Sequence, residues 1–357
     1  MKYKSILGAA FLSCSCAAHA TSGHSLYGLL DIGPNYVSNA GGNSLFEMRS
    51  GMVQQSRFGF RGTEDLGGGY EVGFLLESGI SVDTGVADGG TAIFSRASVL
   101  TFATPVGMLR MGREAASLTD ALYRYNATTA VYGPGYMAVH PGDFDRILGR
   151  TVNNIVKYVS PVMGGVSIFG SYSPGEQPGS FSTNSMYSAG ANYVGGKFSM
   201  GVGWFRANGA NPSLLAATAN PFGITNASDY VTVIGIGASY QFEKVLLHAL
   251  ATQTKSGVSG ADSRTFEVGT KIDLTPSWVL GLDANRTIVK GRAGLTTAVA
   301  SLDYFLSKRT DLYVNVGYET VGGTNINGTP LVAQMVIFAP SSSQSQAAAH
   351  VGIRHRF

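Results

Sequence analysis

Residues 266–274 read FEVGTKIDL, and their side chains alternate between two kinds. One parity holds Phe266, Val268, Thr270, Ile272 and Leu274, and the other holds Glu267, Gly269, Lys271 and Asp273. Because successive side chains of an extended strand point to opposite faces, one face of this segment is apolar and the other carries charges in mid-strand. The period of two therefore predicts a β-strand that separates two different environments.

The same alternation recurs along the chain, for example in residues 234–242, 278–285 and 312–319. About sixteen such segments, each of roughly ten residues, predict an all-β protein with an even number of strands. Two folds produce this pattern. A soluble sandwich buries its apolar face and wets the other, whereas a transmembrane barrel turns its apolar face to lipid and its polar face to a water-filled lumen.

The connections between the segments favour the transmembrane antiparallel β-barrel. Short connections alternate with long ones, as expected when tight turns lie on one rim of a barrel and long loops on the other. The short connections include residues 104–106, 195–196, 243–244, 275–276 and 307–309, and the long ones include residues 38–50, 83–93, 114–150, 174–185, 207–228 and 321–345. Residues 331–339 are apolar; we interpret them as a loop that folds over the mouth or contacts a neighbour, since a seventeenth strand would break the even count.

Composition limits the remaining possibilities. Only 13% of the 357 residues are charged and 48 are glycine, which excludes a coiled coil, a long helical bundle and a charged disordered chain. The formal net charge of +3 argues against a nucleic-acid-binding protein that relies on basicity. After residue 20, no apolar run reaches the ~18 residues that would predict a transmembrane helix.

The amino-terminal segment has the features of a secretory signal peptide. These are Lys2 and Lys4, a short apolar run at residues 6–12, and the small-residue site Ala18-His19-Ala20. We therefore predict that residues 1–20 are cleaved and that residues 21–357 form one barrel domain. Because Cys14 and Cys16 leave with the signal peptide, we expect no disulfide and no thiolate metal site in the mature chain.

The sequence contains none of the common catalytic motifs. There is no H-E-x-x-H, G-x-S-x-G or G-x-x-x-x-G-K pattern, and the histidines are scattered. We therefore predict no enzymatic activity, no metal site and no cofactor. Glycine pairs such as Gly201/Gly203 and Gly235/Gly237 are interpreted as bends or packing points rather than phosphate-binding loops.

Seven motifs, in order along the chain, point to a family. They are SLYGLLDIG (25–33), SRFGFRGTEDLGGG (56–69), FSRAS (94–98), LRMGRE (109–114), NNIVKYVSP (153–161), LSKRTDLY (306–313) and VGIRHRF (351–357). Together they resemble the trimeric general porins of Gram-negative outer membranes, of the beta-proteobacterial and neisserial type, over nearly the whole mature chain. The resemblance implies a 16-stranded barrel with short periplasmic turns, long external loops and a third loop folded into the lumen.

The resemblance also implies a place in the cell outer membrane, with outer-membrane lipid and lipopolysaccharide as neighbours, and assembly as a homotrimer. The implied function is a water-filled channel for passive diffusion of small hydrophilic solutes and inorganic ions, with a preference for anions and no nucleic-acid partner. The residues alone leave two other functions open. One is a substrate-specific outer-membrane channel, and the other is a barrel used as an adhesin or an enzyme.

The resemblance places a cluster of arginines at the narrowest point of the lumen. Anion-preferring members of the family gather three there, and by motif these correspond to Arg57, Arg96 and Arg150. The alternation independently places Arg57 and Arg61 on one face of their strand. Because an arginine facing lipid at mid-bilayer would cost about 2–4 kcal/mol, the lumen is the favoured side.

Residues 114–150 form a connection far longer than a normal turn. It carries Glu114, Asp120 and Asp143, and the resemblance implies that this loop bends inward and that its acids face the arginine cluster. The residues alone leave a second interpretation open, in which these acids are ordinary charges of a solvated external loop. We expect the inward loop.

Overall fold

The computed structural model describes residues 23–88, 90, 92–130, 135–138, 140, 142, 147, 149, 151–209, 230–257, 260–325, 327–335 and 338–357. Within these residues, no helix is long and apolar enough to cross a membrane. Most of the described chain is extended, and its short helical segments all lie in one connection.

Eighteen strands lie within the described residues, and they are numbered in chain order. They are β1 (Gly23–Ala40), β2 (Asn43–Ser50), β3 (Arg57–Gly67), β4 (Tyr70–Ile80), β5 (Ala87–Asp88), β6 (Ala97–Thr104), β7 (Gly107–Ala115), β8 (Thr151–Val159), β9 (Val166–Ser173), β10 (Met186–Gly195), β11 (Phe198–Asn208), β12 (Tyr230–Gln241), β13 (Val245–Ser256), β14 (Asp262–Asp273), β15 (Trp278–Val289), β16 (Ala293–Phe305), β17 (Thr310–Gly323) and β18 (Ser345–Arg356).

The strands form one antiparallel sheet that closes into a barrel. β1 pairs with β18 on one side, where Asp31 stands opposite Arg354. On its other side, one half of β1 pairs with β2 and the other half pairs with β3. β2 and β3 therefore act as a single strand of the wall, interrupted at residues 51–56. The short strand β5 only adds to the edge of β4. The wall therefore has the predicted sixteen strands, and it is closed because the last strand pairs with the first.

The apolar face of each strand points outward. In β14, Phe266 and Val268 are 51% and 62% exposed, whereas the intervening Glu267 is 3% exposed. Ile234, Ile236, Val314 and Val316 are likewise exposed on the outer face. A soluble sandwich would bury these residues, so the observed orientation selects the membrane barrel from the two folds that the sequence allowed.

The two rims of the barrel differ in loop length. At the rim where β1 begins and β18 ends, each connection spans two to six residues, and we call this the short-turn rim. The longest connections, such as residues 116–150 and 324–344, all lie at the opposite rim. This confirms the predicted asymmetry, although residues 257–261 and 290–292 are short connections at the long-loop rim.

The prediction of a long connection at residues 38–50 is wrong. β1 continues to Ala40, the chain turns at Gly41 and Gly42, and β2 follows at once. Both glycines have positive φ, 65° and 106°, as a two-residue hairpin turn requires and as glycine adopts without strain. The strand ends beside this turn are polar on both faces, so they lack the alternation from which the other strands were predicted.

Aromatic side chains pair at strand ends near the short-turn rim. The pairs are Tyr193 with Phe198, Tyr240 with Phe242, and Trp278 with Tyr304, at ring-centroid distances of 6.4, 4.6 and 4.6 Å. All six rings are exposed on the outside or partly so. This is the position at which aromatic residues of membrane barrels meet the lipid interface.

The connection between β7 and β8 folds into the lumen, and we call it the inward loop. Its described part contains the helices α1 (Ser117–Leu122) and α2 (Ala127–Ala130) and two 3-10 turns, Tyr123–Tyr125 and Gly135–Ala138. α1 packs against β9 to β12, α2 packs against β13 and β14, and the second 3-10 turn packs against β15 to β17. The inward loop therefore covers the lumen side of one half of the wall.

Glycines of the wall make room for α1 and for the 3-10 turn that follows it. A Cβ atom on Gly201 would lie 2.2 Å from the carbonyl oxygen of Ala121, and one on Gly237 would lie 2.6 Å from the ring of Tyr125. Gly190, Gly203 and Gly235 face Ala121, Leu118 and Leu122 in the same way. These glycines are thus packing points, as predicted, because their missing side chains leave the groove that holds the inward loop.

The apolar run at residues 331–339 also folds inward, and the described part of it forms no strand. Its buried members are Leu331, Ala333, Met335 and Phe338. Met335 lies over Gly317 of the wall, next to Met137 of the inward loop. This agrees with the interpretation of a loop that folds over the mouth. The other apolar loop, at residues 207–228, lies almost wholly outside the described residues.

Candidate functional site

Two arginines of the wall share one carboxylate. Glu77 of β4 lies opposite Gly59 of β3 and Ala97 of β6. Nε of Arg96 donates a hydrogen bond of 2.7 Å to Oε1 of Glu77, and Nε of Arg57 lies 3.4 Å from Oε2 of the same residue. The register of three neighbouring wall segments thus brings together two of the three predicted arginines. We call Arg57, Glu77 and Arg96 the wall cluster.

Neighbouring groups hold the wall cluster in place. The Tyr27 hydroxyl donates a hydrogen bond of 2.7 Å to Oε2 of Glu77. Arg57 donates to the backbone carbonyl of Gln55 at 3.1 Å, and Arg96 donates to the side-chain carbonyl of Gln55. Because each charged group has partners, both guanidiniums are held beside Glu77.

Gln55 reaches the wall cluster because the wall strand is broken between β2 and β3. Within the break, the backbone N–H of Val53 donates a hydrogen bond of 3.0 Å to the carboxylate of Asp31 on β1. The carbonyl of Met52 accepts a hydrogen bond of 2.9 Å from the backbone N–H of Tyr136 in the inward loop. The residues within this break therefore connect the wall to the inward loop, next to the arginines of the wall cluster.

Both guanidiniums of the wall cluster keep their charge. Arginine stays protonated at any working pH. Two positive charges against one negative charge leave the wall cluster positive. Since the side chains of Arg57 and Arg96 are 24% and 27% exposed, the field reaches the water in the lumen.

The inward loop presents phenols to the wall cluster. Tyr123 and Tyr136 lie close enough to Arg57 and Arg96 to interact electrostatically with both guanidiniums. Burial raises the pKa of the Tyr136 phenol, so this group is neutral at physiological pH. Neutral hydroxyls can donate hydrogen bonds to a passing solute, and they do not cancel the positive charge opposite.

Glu114 and Asp120 do not face the arginines of the wall cluster, and this corrects the sequence-based expectation. Nζ of Lys157 lies 2.7 Å from Asp120 and 3.1 Å from Glu114, and Arg110 lies 2.9 Å from Glu114. The physical reason is that Glu114 lies at the end of β7 and Asp120 lies in α1, which starts soon after it. Both acids therefore reach Lys157 of the neighbouring strand β8, which points into the lumen and is 1% exposed. These acids hold the first residues of the inward loop, which we call its root, against the wall.

Two further predicted residues, Arg150 and Asp143, lie outside the described residues. The alternation correctly placed Arg57 and Arg61 on the same side of β3. The guanidinium carbon of Arg61 lies 5.1 Å from the centre of the Tyr27 ring. On β3, Arg61 lies nearer to the short-turn rim than Arg57 does. The wall there encloses a cavity of about 350 Å³, whose polar lining includes Ser25, Arg61, Thr63, Glu71, Thr101 and Arg110.

Sequence reasoning missed Glu77, although one signal could have found it. Glu77 is the only charged residue in the apolar stretch FLLESGI at residues 74–80. A lone carboxylate in such a strand is expected on the lumen side with a cationic partner. The identity of that partner depends on the strand register, which the local sequence does not reveal.

Comparison with known proteins places these features in context. A sequence profile of Gram-negative porins matches residues 6–324. The chain is 30% identical to outer membrane porin protein 32 of Delftia acidovorans over 99% of both chains, and 27% identical to major outer membrane protein P.IA of Neisseria meningitidis serogroup C over 85% of this chain and 82% of that one. The fold matches an anion-selective porin from Comamonas acidovorans with a TM-score of 0.77 at 24% identity, covering 94% of this chain and 100% of the other.

Proposed function

This chain belongs to the Gram-negative porin family, and we propose that its channel passes small hydrophilic solutes and inorganic ions by passive diffusion, with a preference for anions. It is a multi-pass β-barrel of the outer membrane. The observation that carries the anion preference is the wall cluster, in which Arg57 and Arg96 share the single carboxylate of Glu77.

The charge balance around the inward loop supports the preference for anions. Glu114 and Asp120, which could have cancelled the arginines, are paired with Lys157 and Arg110 instead. A ring of fixed charge selects ions through its local potential, and a bias of ~1 kcal/mol corresponds to roughly fivefold selectivity. Because salt screens charges beyond about 8–10 Å, the wall cluster matters more than the net charge of the chain.

We extend the proposed constriction to Arg150, which the GRTVNN motif aligns with the third arginine of anion-preferring porins. In this proposal, Arg57, Arg96 and Arg150 form one positive field at the narrowest point. Asp143 of the inward loop remains its candidate acidic neighbour. The support for Arg150 and Asp143 is the family resemblance, whereas the support for Arg57 and Arg96 includes their shared contact with Glu77.

The proposal is tested by reversal potentials of the purified protein in planar bilayers between asymmetric KCl solutions. Arg57→Gln, Arg96→Gln and Arg150→Gln should each move the reversal potential toward the cation side. Arg286→Gln is the matched control, because Arg286 is exposed on the outer face of β15, where it donates to Thr296 at 2.6 Å. If the control shifts selectivity as much as the other three, the effect is one of total charge and the assigned constriction is wrong.

A second measurement separates the general channel from a substrate-specific one. In liposome-swelling assays, the flux of neutral sugars and charged solutes should rise linearly with concentration and fall smoothly with solute size. Saturation of flux for one solute class would instead establish a specific binding site. Absence of any conductance would support the adhesin or enzyme alternative, whereas we propose a channel without enzymatic activity.

We also propose that the protein assembles as a homotrimer among outer-membrane lipid and lipopolysaccharide, as porins of the family named above do. The apolar outer face of the wall, with residues such as Ile234 and Val268, supports contact with lipid or with another subunit. Chemical crosslinking of the native membrane should give a three-subunit species. A protein that crosslinks only to a monomer would overturn this assembly.

Finally, we propose that residues 1–20 are a signal peptide and that residues 21–357 are the mature barrel domain. The support is the charged start, the apolar run and the site at Ala18-His19-Ala20. Mass spectrometry of the exported protein should give an amino terminus at Thr21. A mature chain that retains Met1 would contradict the cleavage.

A further inference from the structure

Three buried side chains meet behind the inward loop. His248 of β13 and Asp283 of β15 both stand opposite Gly269 of β14, and Glu267 lies two residues before that glycine. The side chains of all three are at most 1% exposed. One ligand atom from each, an imidazole nitrogen or a carboxylate oxygen, lies within 4.8 Å of the others.

The hydrogen bond of His248 defines which ring nitrogen is free. Nδ1 lies 2.8 Å from the carbonyl oxygen of Tyr125, and because a carbonyl only accepts, Nδ1 carries the hydrogen and donates it. Nε2 is then left with a bare lone pair. It has no hydrogen-bond partner, and it faces Oδ2 of Asp283 at 3.6 Å, which is too long for a hydrogen bond.

The Asp283 carboxylate is also unpaired. Neither of its oxygens has a hydrogen-bond partner, although the residue is only 5% exposed. A buried carboxylate without a partner is strongly unfavourable. Two lone-pair groups that face each other in a buried position are relieved either by a proton or by a metal ion placed between them.

Gly269 leaves room for such a group. A Cβ atom at this position would lie 2.3 Å from Nε2 of His248 and 2.6 Å from Oδ2 of Asp283. The space that the glycine leaves open is thus within bonding reach of both ligand atoms. Zinc binds imidazole nitrogen and carboxylate oxygen at about 2.0–2.2 Å, which separates two ligands by roughly 3.4 Å in a tetrahedral site.

We propose that His248, Asp283 and Glu267 bind one divalent transition-metal ion over Gly269, with Zn²⁺ as the best match. One imidazole and two carboxylates are a ligand set that zinc accepts, whereas calcium and magnesium prefer oxygen ligands alone. The bond from Nδ1 of His248 to a backbone carbonyl is the outer contact that metal-binding histidines typically make. The scattered histidines hid this site from the sequence, because strand pairing brings the three ligands together.

The metal would join the wall to the inward loop. Oε1 of Glu267 accepts a hydrogen bond of 2.6 Å from the backbone N–H of Ala127. Oε2 accepts one of 2.9 Å from the side chain of Asn126 and lies 2.8 Å from Nδ1 of the buried His140, also in the inward loop. His248 holds the carbonyl of Tyr125 in the same loop. An ion bound by Glu267 and His248 would therefore stabilise three consecutive loop residues against β13 and β14.

The test measures bound metal after refolding. Residues 21–357 are refolded from urea into detergent with ZnCl₂ or with EDTA, separated from free metal by gel filtration, and analysed by inductively coupled plasma mass spectrometry. The wild-type chain refolded with zinc should retain about one zinc per chain. Asp283→Asn, His248→Gln and Gly269→Ala should each retain at least tenfold less, while keeping the heat-modifiable mobility of a folded barrel.

His350→Gln is the matched control, because His350 is also a buried histidine of the wall but lies outside the proposed site, where Nε2 contacts the Tyr313 hydroxyl at 3.1 Å. This variant should retain the wild-type amount of zinc. The proposal is overturned if folded wild type retains no more zinc than Asp283→Asn, or if His350→Gln loses as much as His248→Gln. If His248→Gln does not fold, Asp283→Asn decides, since it preserves the side-chain shape.

Discussion

Nε of Arg96 donates a hydrogen bond of 2.7 Å to Oε1 of Glu77, a residue that lies 19 positions earlier on the adjacent strand. Glu77 also lies 3.4 Å from Arg57, so one carboxylate sets both the position and the net charge of the wall cluster. The selectivity of the channel should therefore depend on an acid as well as on the arginines.

Replacing this acid should strengthen the preference for anions. Glu77→Gln keeps the side-chain shape and an acceptor for the Tyr27 hydroxyl, but it removes the negative charge between two guanidiniums. The permeability ratio of anion to cation should rise by up to about fivefold, as a change of ~1 kcal/mol gives. Reversal potentials in asymmetric KCl measure it. Glu243→Gln, in an exposed short turn, should leave the ratio unchanged; equal shifts in both variants would argue against a local effect.

Filling the groove under α1 should displace the inward loop. In Gly201→Ala, the new Cβ would lie 2.2 Å from the carbonyl oxygen of Ala121, a backbone atom that cannot rotate away. The loop must move off the wall toward the open lumen, at a cost of about 1–3 kcal/mol. Single-channel conductance should fall, and the urea midpoint of unfolding should decrease.

Gly170→Ala provides the control for this displacement, because a Cβ on Gly170 would meet nothing within 4 Å. Both variants exchange a strand glycine for alanine, so they share any effect on backbone propensity. If Gly201→Ala conducts and unfolds like Gly170→Ala, the loop does not rest on the glycine groove as described.

Removing the cation at the root of the inward loop should destabilise the barrel. Lys157→Met leaves Asp120 without its lysine partner and Glu114 with Arg110 alone, and breaking one side of a buried ion pair costs about 3–5 kcal/mol. Urea titration of the refolded protein should show a lower midpoint. Adding Asp120→Asn to Lys157→Met should restore part of the loss, because a neutral amide needs no counter-charge.

Lys308→Met, in the exposed turn between β16 and β17, is the control for the loss of a lysine and should leave the midpoint unchanged. A midpoint for Lys157→Met that equals that of Lys308→Met would mean that the Lys157 contacts contribute nothing to stability.

Deleting the last residue should impair closure of the barrel. Gly28 and Phe357 exchange two backbone hydrogen bonds, both 3.1 Å long, and these end the ladder between the first and last strands. Unpaired backbone groups are costly where water is scarce. The truncated chain should give less heat-modifiable barrel in the outer membrane, whereas Phe357→Tyr should match wild type. Wild-type yield from the truncated chain would show that closure does not need this residue.

Some parts of the fold were predictable because they are local properties of the chain. The alternation in residues 266–274 depends only on neighbouring side chains, and the exposed Phe266 and Val268 bear it out. The hairpin at residues 38–50 was not predictable in this way, since its strand ends are polar on both faces. There the positive φ of Gly41 and Gly42 and the pairing of β2 with β1 define the strands.

The candidate site likewise has a part that the sequence predicted and a part that it did not. The motifs identified Arg57 and Arg96, but they did not reveal that Glu77 lies between them. The acids of the inward loop were placed opposite the arginines, whereas the structure pairs Glu114 and Asp120 with a lysine of β8. The sequence shows which residue types are present, but it does not show which side chains are in contact in the folded protein.

That the chain is a sixteen-stranded outer-membrane barrel can be read from its residues alone, because strand period, turn length and family motifs are properties of contiguous segments. Which charged groups meet, such as Glu77 with Arg57 and Arg96, or His248 with Asp283, becomes known only from the folded barrel. Electrostatic energy depends on distances of a few ångströms between residues on different strands. Those distances are set by strand register and by the resting place of the inward loop.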